Sequence, residues 1–322
     1  MKAIVQTEYG SADVLRLAEV ERPVVAADRV LVRVRASSVH AGDWHLMRGD
    51  PFLSRLIYGG IRKPKITILG TDMAGEVEAV GSQVTQFKPG DPVFADLSEA
   101  GFGGFAEYVC VPETALAPKP NNLTFAEAAT VPVSGLAALQ GLRDAGHLQA
   151  GQKVLVNGAA GGVGSFAVQI AKAFGAMVTG MCSAHKGAMV QKLGADRVIP
   201  YDQLGSLDGG YDLILDAAAY RSVFDYLPLL KPEGRYVLVG GSTPRIFQVM
   251  LLGSLISAIY RRTVQFLVSG PNPKDLRVLK ELIETGKVRP YLDRTYALEE
   301  VPEAIRALEQ RQVCGKVVIS IP

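Results

Sequence analysis

Up to about residue 125 the chain alternates apolar and polar positions in short runs that Gly and Pro bring to an end. Residues 30–34 (VLVRV) alternate, residues 76–80 (EVEAV) alternate and stop at Gly81, and residues 105–111 (FAEYVCV) stop at Pro112. The opening MKAIVQTEYG reads as a first strand, since its apolar run is too short for a signal peptide. Period-two runs with regular turn punctuation predict a small β barrel or sandwich.

Beyond 125 the texture changes. Residues 125–145 are Ala/Leu-rich with a helical period, 153–156 (KVLV) form a continuous apolar strand, and 165–174 form a helix that Gly175 ends. Strands are predicted at 177–181, 197–199, 211–215, 235–239 and 264–268, with helical stretches at 186–193 and 222–230. Fully apolar strands alternating with helices mean a parallel sheet covered on both faces. Helices at 274–285 and 301–310 and a strand at 316–321 follow. The expected fold is α/β, a doubly wound Rossmann sheet at 125–268 beside a β-rich domain of 1–124 to which 269–322 return.

One stretch breaks the soluble pattern. Residues 246–260 carry no charge, yet Gln248, Gly253, Ser254 and Ser257 interrupt them. The run is short for a bilayer, so a buried or interface helix is expected and no integral membrane segment. Charge adds little: 34 Lys+Arg against 32 Asp+Glu give +2 with no long basic run, which argues against nucleic acid as a partner. Cys110, Cys182 and Cys314 are odd in number and far apart, so neither a disulfide framework nor a CxxC zinc site is read, and a cytoplasmic location is expected.

The strand KVLV runs into Asn157, Gly158, Ala159, Ala160, Gly161, Gly162, Val163 and Gly164, then a helix. Such a loop lets backbone approach a pyrophosphate, and the helix N-terminus offers free N–H groups to its charge. The spacing is AxGxxG, and the plain alternative is a Gly-rich turn. Near the end of the second strand, where a carboxylate would bind a ribose 2′-hydroxyl, stand Ser183 and Lys186, with no acid before Asp196. A hydroxyl and a cation suit a 2′-phosphate, so NADPH is expected over NADH, unless these residues merely begin a surface helix.

With these residues in place the chain resembles the zinc-independent quinone oxidoreductase branch of the medium-chain dehydrogenase/reductase superfamily. The motifs are GTDMAGEVEAVG (70–81), KPGDPVF (88–94), GGFAEYVCVP (103–112), NGAAGGVG (157–164), KLGADRVI (192–199) and CGKVVI (314–319). The resemblance spans essentially the whole chain and implies a GroES-like substrate domain with an inserted Rossmann domain, assembled as a homodimer or a tetramer. It also places cofactor contacts at Ala160, Gly161, Gly162, Val163, Tyr201, Gly240, Gly241, Phe266, Val268, Gly315 and Lys316, each of which has an alternative as a strand end or packing residue.

Zinc-dependent relatives use Cys, His and Cys as ligands. Here His40, Thr71 and Ser134 stand at or near those positions, and no Cys lies between Val93 and Tyr108, so no zinc is expected. Without a metal, the feasible chemistry is hydride transfer to a quinone or an α,β-unsaturated carbonyl, helped by a hydrogen-bond donor or proton source. The candidates are His45, Asp43 and Tyr58, with His40 read as structural. The alternatives are an enoyl-thioester reductase, whose phosphates would need a basic patch such as Arg62, Lys63 and Lys65, or an NADPH-binding sensor with little catalysis.

Overall fold

The computed structural model describes residues 1–58 and 60–322. In chain order the strands are β1 (Lys2–Val5), β2 (Arg16–Glu19), β3 (Arg29–Ser38), β4 (Asp72–Val80), β5 (Pro92–Asp96), β6 (Tyr108–Pro112), β7 (Ala117–Pro118), β8 (Lys153–Asn157), β9 (Met177–Cys182), β10 (Arg197–Pro200), β11 (Tyr211–Asp216), β12 (Leu230–Leu238), β13 (Thr263–Phe266), β14 (Leu292–Ala297) and β15 (Lys316–Ser320). The helices are α1 (Ala41–Arg48), α2 (Phe52–Ile57), α3 (Phe125–Ala128), α4 (Pro132–Gln140), α5 (Gly162–Ala173), α6 (Gly187–Lys192), α7 (Thr243–Tyr260), α8 (Pro273–Glu284) and α9 (Val301–Glu309). Two compact units result. Met1–Val133, Gly270–Glu284 and Pro290–Pro322 form one, and Ser134–Ser269 with Thr285–Arg289 form the other.

In the first unit the sheet runs β14-β15-β3-β4-β5-β7, with β6 also paired to β3 and a separate β1–β2 hairpin. The alternation read at 30–34 belongs to the longer β3, whose inward Val30, Val32 and Val34 join Met73, Val77, Val93 and Phe105 in one core. The C-terminal strand enters this sheet antiparallel to β3, with Val318 opposite Ser38. Its apolar Val317 and Ile319 belong to the same core, which accounts for the return of the chain end.

Polar groups lie inside that core. Asp72 is fully buried: its Oδ2 accepts from the Ser38 hydroxyl at 2.5 Å and from the Lys316 ammonium at 3.1 Å, and its Oδ1 accepts the Val133 N–H at 2.8 Å. Lys316 is 3% exposed and also donates to the Val39 carbonyl at 3.4 Å. The pair thus joins β15 to the start of β4 and the end of β3.

The second unit is a six-stranded parallel sheet in the order β10-β9-β8-β11-β12-β13. Its middle strands carry continuous apolar runs, 154–156 and 213–215, because helices such as α5, nearly all of it buried, cover the sheet. Three sequence expectations change. The 125–145 helix is split into α3 and α4, with Pro132 opening the second segment. Residues 222–230 form two single 3₁₀ turns, Val223–Asp225 and Leu227–Leu229, since Pro228 supplies no N–H to an α-helical ladder.

The third concerns 246–260. This stretch lies in α7, but only Val249, Gly253 and Ile256 are buried. They form the narrow seam that rests on β13, where a Cβ on Gly253 would lie 2.8 Å from the Val264 carbonyl oxygen. By length and composition α7 is apolar enough to cross a membrane, yet this seam docks it on the sheet, and Leu251, Leu255 and Ile259 face outward.

Removing the Lys316 ammonium leaves the Asp72 carboxylate buried without its counter-charge. Lys316→Met should cost about 3–5 kcal/mol in urea or thermal unfolding. Adding Asp72→Asn to it should recover much of that loss. A single variant as stable as the parent would show that the pair does not hold β15.

Candidate active site

The parallel sheet delivers most of the expected cofactor residues to one end, the carboxyl ends of its strands. The glycine loop follows β8, Ser183 and Lys186 follow β9, Tyr201 follows β10, Gly240 and Gly241 follow β12, and Phe266 ends β13. The chain order reverses between β8 and β11, where doubly wound sheets open a crevice for ligands.

The loop there is built for close backbone approach. Gly161 is the extended N-cap of α5, and the first helical hydrogen bond runs from Ser165 N–H to its carbonyl at 2.9 Å. The amides of Gly162, Val163 and Gly164 precede that bond and have no carbonyl within the helix. A Cβ on Gly164 would lie 2.1 Å from the Gly158 oxygen, so helix and loop pack backbone to backbone. Ala160 is buried, and Gly161 is exposed with only the Gly158 oxygen near its Cβ position. These features fit a dinucleotide pyrophosphate: open amides, a positive helix end, and a loop that side chains would fill. Ser183 and Lys186 are half-buried and Val268 is 86% exposed.

Sequence reasoning missed what holds this loop. Asn157 Nδ2 donates to Asp216 Oδ1 at 2.6 Å and meets the Tyr226 hydroxyl at 2.9 Å, while the Tyr236 hydroxyl donates to Asp216 Oδ2 at 2.6 Å. All four residues are buried. Burial raises the Asp216 carboxyl to about 6 despite these donors. The network ties the ends of β8, β11 and β12 together beside the glycine loop. Its one sequence signal is a polar residue closing two apolar strands, KVLVN and YDLILD.

In the first unit, His40 and Asp43 form a capping box at α1. The His40 N–H donates to Asp43 Oδ2 at 2.8 Å, and His40 Nδ1 accepts the Gly42 N–H at 3.0 Å. Asp43 also accepts the Thr71 hydroxyl at 2.9 Å, and burial raises its carboxyl to about 7 against the pull of these hydrogen bonds. His45 is held otherwise: its Nδ1 is 2.7 Å from the Asp50 carbonyl oxygen. Tyr58 is 42% exposed, stands edge-on to Phe102, and has its hydroxyl pKa raised by partial burial and then by Asp96 and Glu99. Gly315 is buried, and Lys316, expected beside a cofactor, has its ammonium committed to Asp72 and Val39.

Two of the residues at the positions of zinc ligands are engaged within the protein. His40 spends Nδ1 on a backbone amide, and the Thr71 hydroxyl donates to Asp43. Among the described residues no group of three or more His, Cys, Asp or Glu is placed to hold a metal ion.

Two substitutions test this geometry. Gly164→Ala forces a side chain into the Gly158 carbonyl and should cost about 1–3 kcal/mol in thermal unfolding, with loosened dinucleotide binding by nicotinamide fluorescence. Unchanged stability and binding would contradict the close packing. Asp43, with its pKa raised from 3.8 to about 7, holds a proton in the folded chain that the unfolded chain has released across that window. Its contribution to stability is therefore lost as pH rises from about 4 to 7. Asp43→Asn should flatten the pH dependence of unfolding free energy there, and an unchanged slope would count against the buried proton.

Comparison with known proteins agrees with this architecture. Residues 26–121 match the alcohol dehydrogenase GroES-like domain, and residues 193–319 match the zinc-binding dehydrogenase family. The chain is 35% identical to 2-methylene-furan-3-one reductase of Solanum lycopersicum, covering 99% of this chain and 79% of that protein. It is 34% identical to the chloroplastic NADPH-dependent alkenal/one oxidoreductase of Arabidopsis thaliana, with the same two coverages, 99% and 79%. The quinone oxidoreductase structure from Coxiella burnetii superposes with a TM-score of 0.89 at 30% identity, covering 100% of this chain and 99% of that one. With a GroES-like sheet, a dinucleotide fold and relatives of this kind, the chain is an oxidoreductase of the quinone oxidoreductase branch of the medium-chain dehydrogenase/reductase superfamily.

Proposed function

We propose that this oxidoreductase uses NADPH to reduce a quinone or an α,β-unsaturated carbonyl and needs no zinc ion. The observation that carries the reading is the amide cradle of Gly162, Val163 and Gly164 at the carboxyl end of the parallel sheet, followed after β9 by Ser183 and Lys186 in place of an acid. The donor set around His40 and Thr71, already engaged within the protein, supports chemistry without a Lewis acid.

The nicotinamide, when bound, supplies the hydride. The chain supplies position and charge. The helix end and the loop amides hold the pyrophosphate, and the Ser183 hydroxyl with the Lys186 ammonium receives a 2′-phosphate, where an Asp or Glu would repel it. Tyr201 lies on the next strand end, and Gly240, Gly241, Phe266 and Val268 flank the ribose and nicotinamide in this reading. A conjugated carbonyl already holds an electron sink, so a hydrogen bond to its oxygen suffices where an alcohol would need a metal. We place the working protein in the cytoplasm as a homodimer, a location that suits a chain whose three cysteines are odd in number and far apart in sequence.

The test follows the loss of reduced-nicotinamide absorbance with chelator-treated protein and a panel of an ortho-quinone, a para-quinone, an alkenal and an enoyl-CoA. Turnover of a quinone or alkenal with NADPH, at least about tenfold above NADH in kcat/KM, is the expected result. Activity lost to the chelator would overturn the metal-free reading. A preference for enoyl-CoA would move the assignment to an enoyl-thioester reductase, and saturable NADPH binding without turnover would make the protein a sensor.

A further inference from the structure

Helix α7 inverts the usual order of a surface helix, in which polar residues face water and an apolar stripe faces the protein. Its polar side chains are spent inward. Gln248 is half-buried and its amide donates to the Ser222 hydroxyl at 3.1 Å, while Ser257 donates to the Gly253 carbonyl at 2.7 Å and accepts the Val264 N–H at 2.9 Å. The outer face carries Phe247, Met250, Leu251, Leu255, Ile259 and Tyr260, with Leu251 76%, Ile259 64% and Leu255 58% exposed. Phe247, Leu251, Leu255 and Ile259 stand four apart and so line one side of the helix from end to end. Between 246 and 259 the one exposed polar residue is Ser254.

Charge frames this face. From 234 to 274 the chain holds no Asp or Glu, and its cations include Arg245 in the first turn of α7 and Arg261 and Arg262 just past the last. Arg245 donates to the Gln248 side chain and Arg262 to the Leu230 and Tyr260 carbonyls, and among the described residues none of the three arginines meets a carboxylate. Asp225, on the turn beside α7, accepts the Ser222 N–H at 3.0 Å. Each end of the helix also has exposed aromatic rings: Phe247 at one, and Tyr260 with Phe224, their centroids 6.2 Å apart, at the other.

We propose that this face of α7 attaches the protein peripherally to an anionic lipid bilayer. The helix lies flat with its seam still on β13, Leu251 and Leu255 enter the acyl chains, and the arginines stay at the lipid phosphates. Hydrocarbon accepts an apolar face that offers it no polar partner, arginine stems reach back to the headgroups, and aromatic rings suit the boundary between the two. A second copy of the chain matches the face less well. Across a two-fold contact each arginine would meet a surface that again holds arginines and no carboxylate from 234 to 274.

The test sediments the full chain, free of detergent, with vesicles of phosphatidylcholine and with vesicles of equal phosphatidylcholine and phosphatidylserine. The parent should partition at least about tenfold better onto the mixed vesicles, and raised salt should release it. Leu251→Glu with Leu255→Glu alters exposed positions, so the melting temperature should hold while binding falls at least about tenfold. Arg245→Gln with Arg261→Asn leaves the apolar face intact, and Asn tolerates the left-handed backbone at 261; binding to mixed vesicles should fall about fivefold for each charge removed. Leu251→Trp reports depth: its emission should shift to the blue and be quenched by brominated acyl chains, beyond any change in the parent, whose one tryptophan is Trp44. A parent that stays in solution with mixed vesicles, or binding that the glutamate pair leaves unchanged, would overturn the proposal. So would a parent dimer that the glutamate pair turns into a monomer in analytical ultracentrifugation, since the face would then belong to a second copy.

Discussion

The first unit depends on one buried carboxylate. Asp72 lies where three segments distant in sequence meet, and each hands it a donor: the Ser38 hydroxyl, the Val133 amide and the Lys316 ammonium, the last from 244 residues away. An unpaired charge there would be costly, so the segments must arrive together or the core cannot close around it. Apolar packing brings β15 back to β3, since Val317 and Ile319 fit the core, but packing alone tolerates slippage. A slip by one residue would turn Lys316 out of the core and strand Asp72, so the ion pair adds a register condition to a strand pair.

The second unit solves a similar problem without a cation. Asp216 is ringed by the Asn157 amide, the Tyr236 hydroxyl and the Ala218 N–H, all neutral donors. With no counter-charge, desolvation outweighs the hydrogen bonds and the carboxyl stays near 6. What the network supplies is position. It clamps adjacent strand ends at the point where the chain order reverses, and the glycine loop begins one residue past Asn157. A phosphate-binding loop held this way needs little reorganisation when charge arrives.

How much of this was legible depended on the range of the signal. Apolar runs such as KVLV and LILD are local and continuous, so the parallel sheet was readable, as was the strand–loop–helix context of the glycines. Residues 222–230 misled because their apolar content resembles a helix, while one proline decides the turn geometry. For α7 the uncharged composition suggested burial, but burial depends on what packs against a helix, and Val249, Gly253 and Ile256 are the positions of α7 that are buried. The Asp72–Lys316 pair and the Asn157–Asp216 network join residues through tertiary contacts, for which a single sequence carries no periodicity. The His40 cap was hidden for another reason: Ser, Thr, Asp or Asn usually marks that position, and His passes unnoticed.

The two histidines show why residue type alone does not decide what a ring can offer. His45 attracts attention because imidazole titrates near neutrality, and that property belongs to both rings in water. In the fold each ring has one nitrogen assigned by the backbone, and the assignment decides what the other nitrogen can do. Gly42 turns His40 into a donor at Nε2, and Asp50 turns neutral His45 into an acceptor there. The nearby Lys316 ammonium then has two effects: it balances Asp72, and by disfavouring a second positive charge it keeps His40 neutral. Burial keeps the His40 ring neutral in the first place, and the cation that holds the last strand adds to it at the N-terminus of α1.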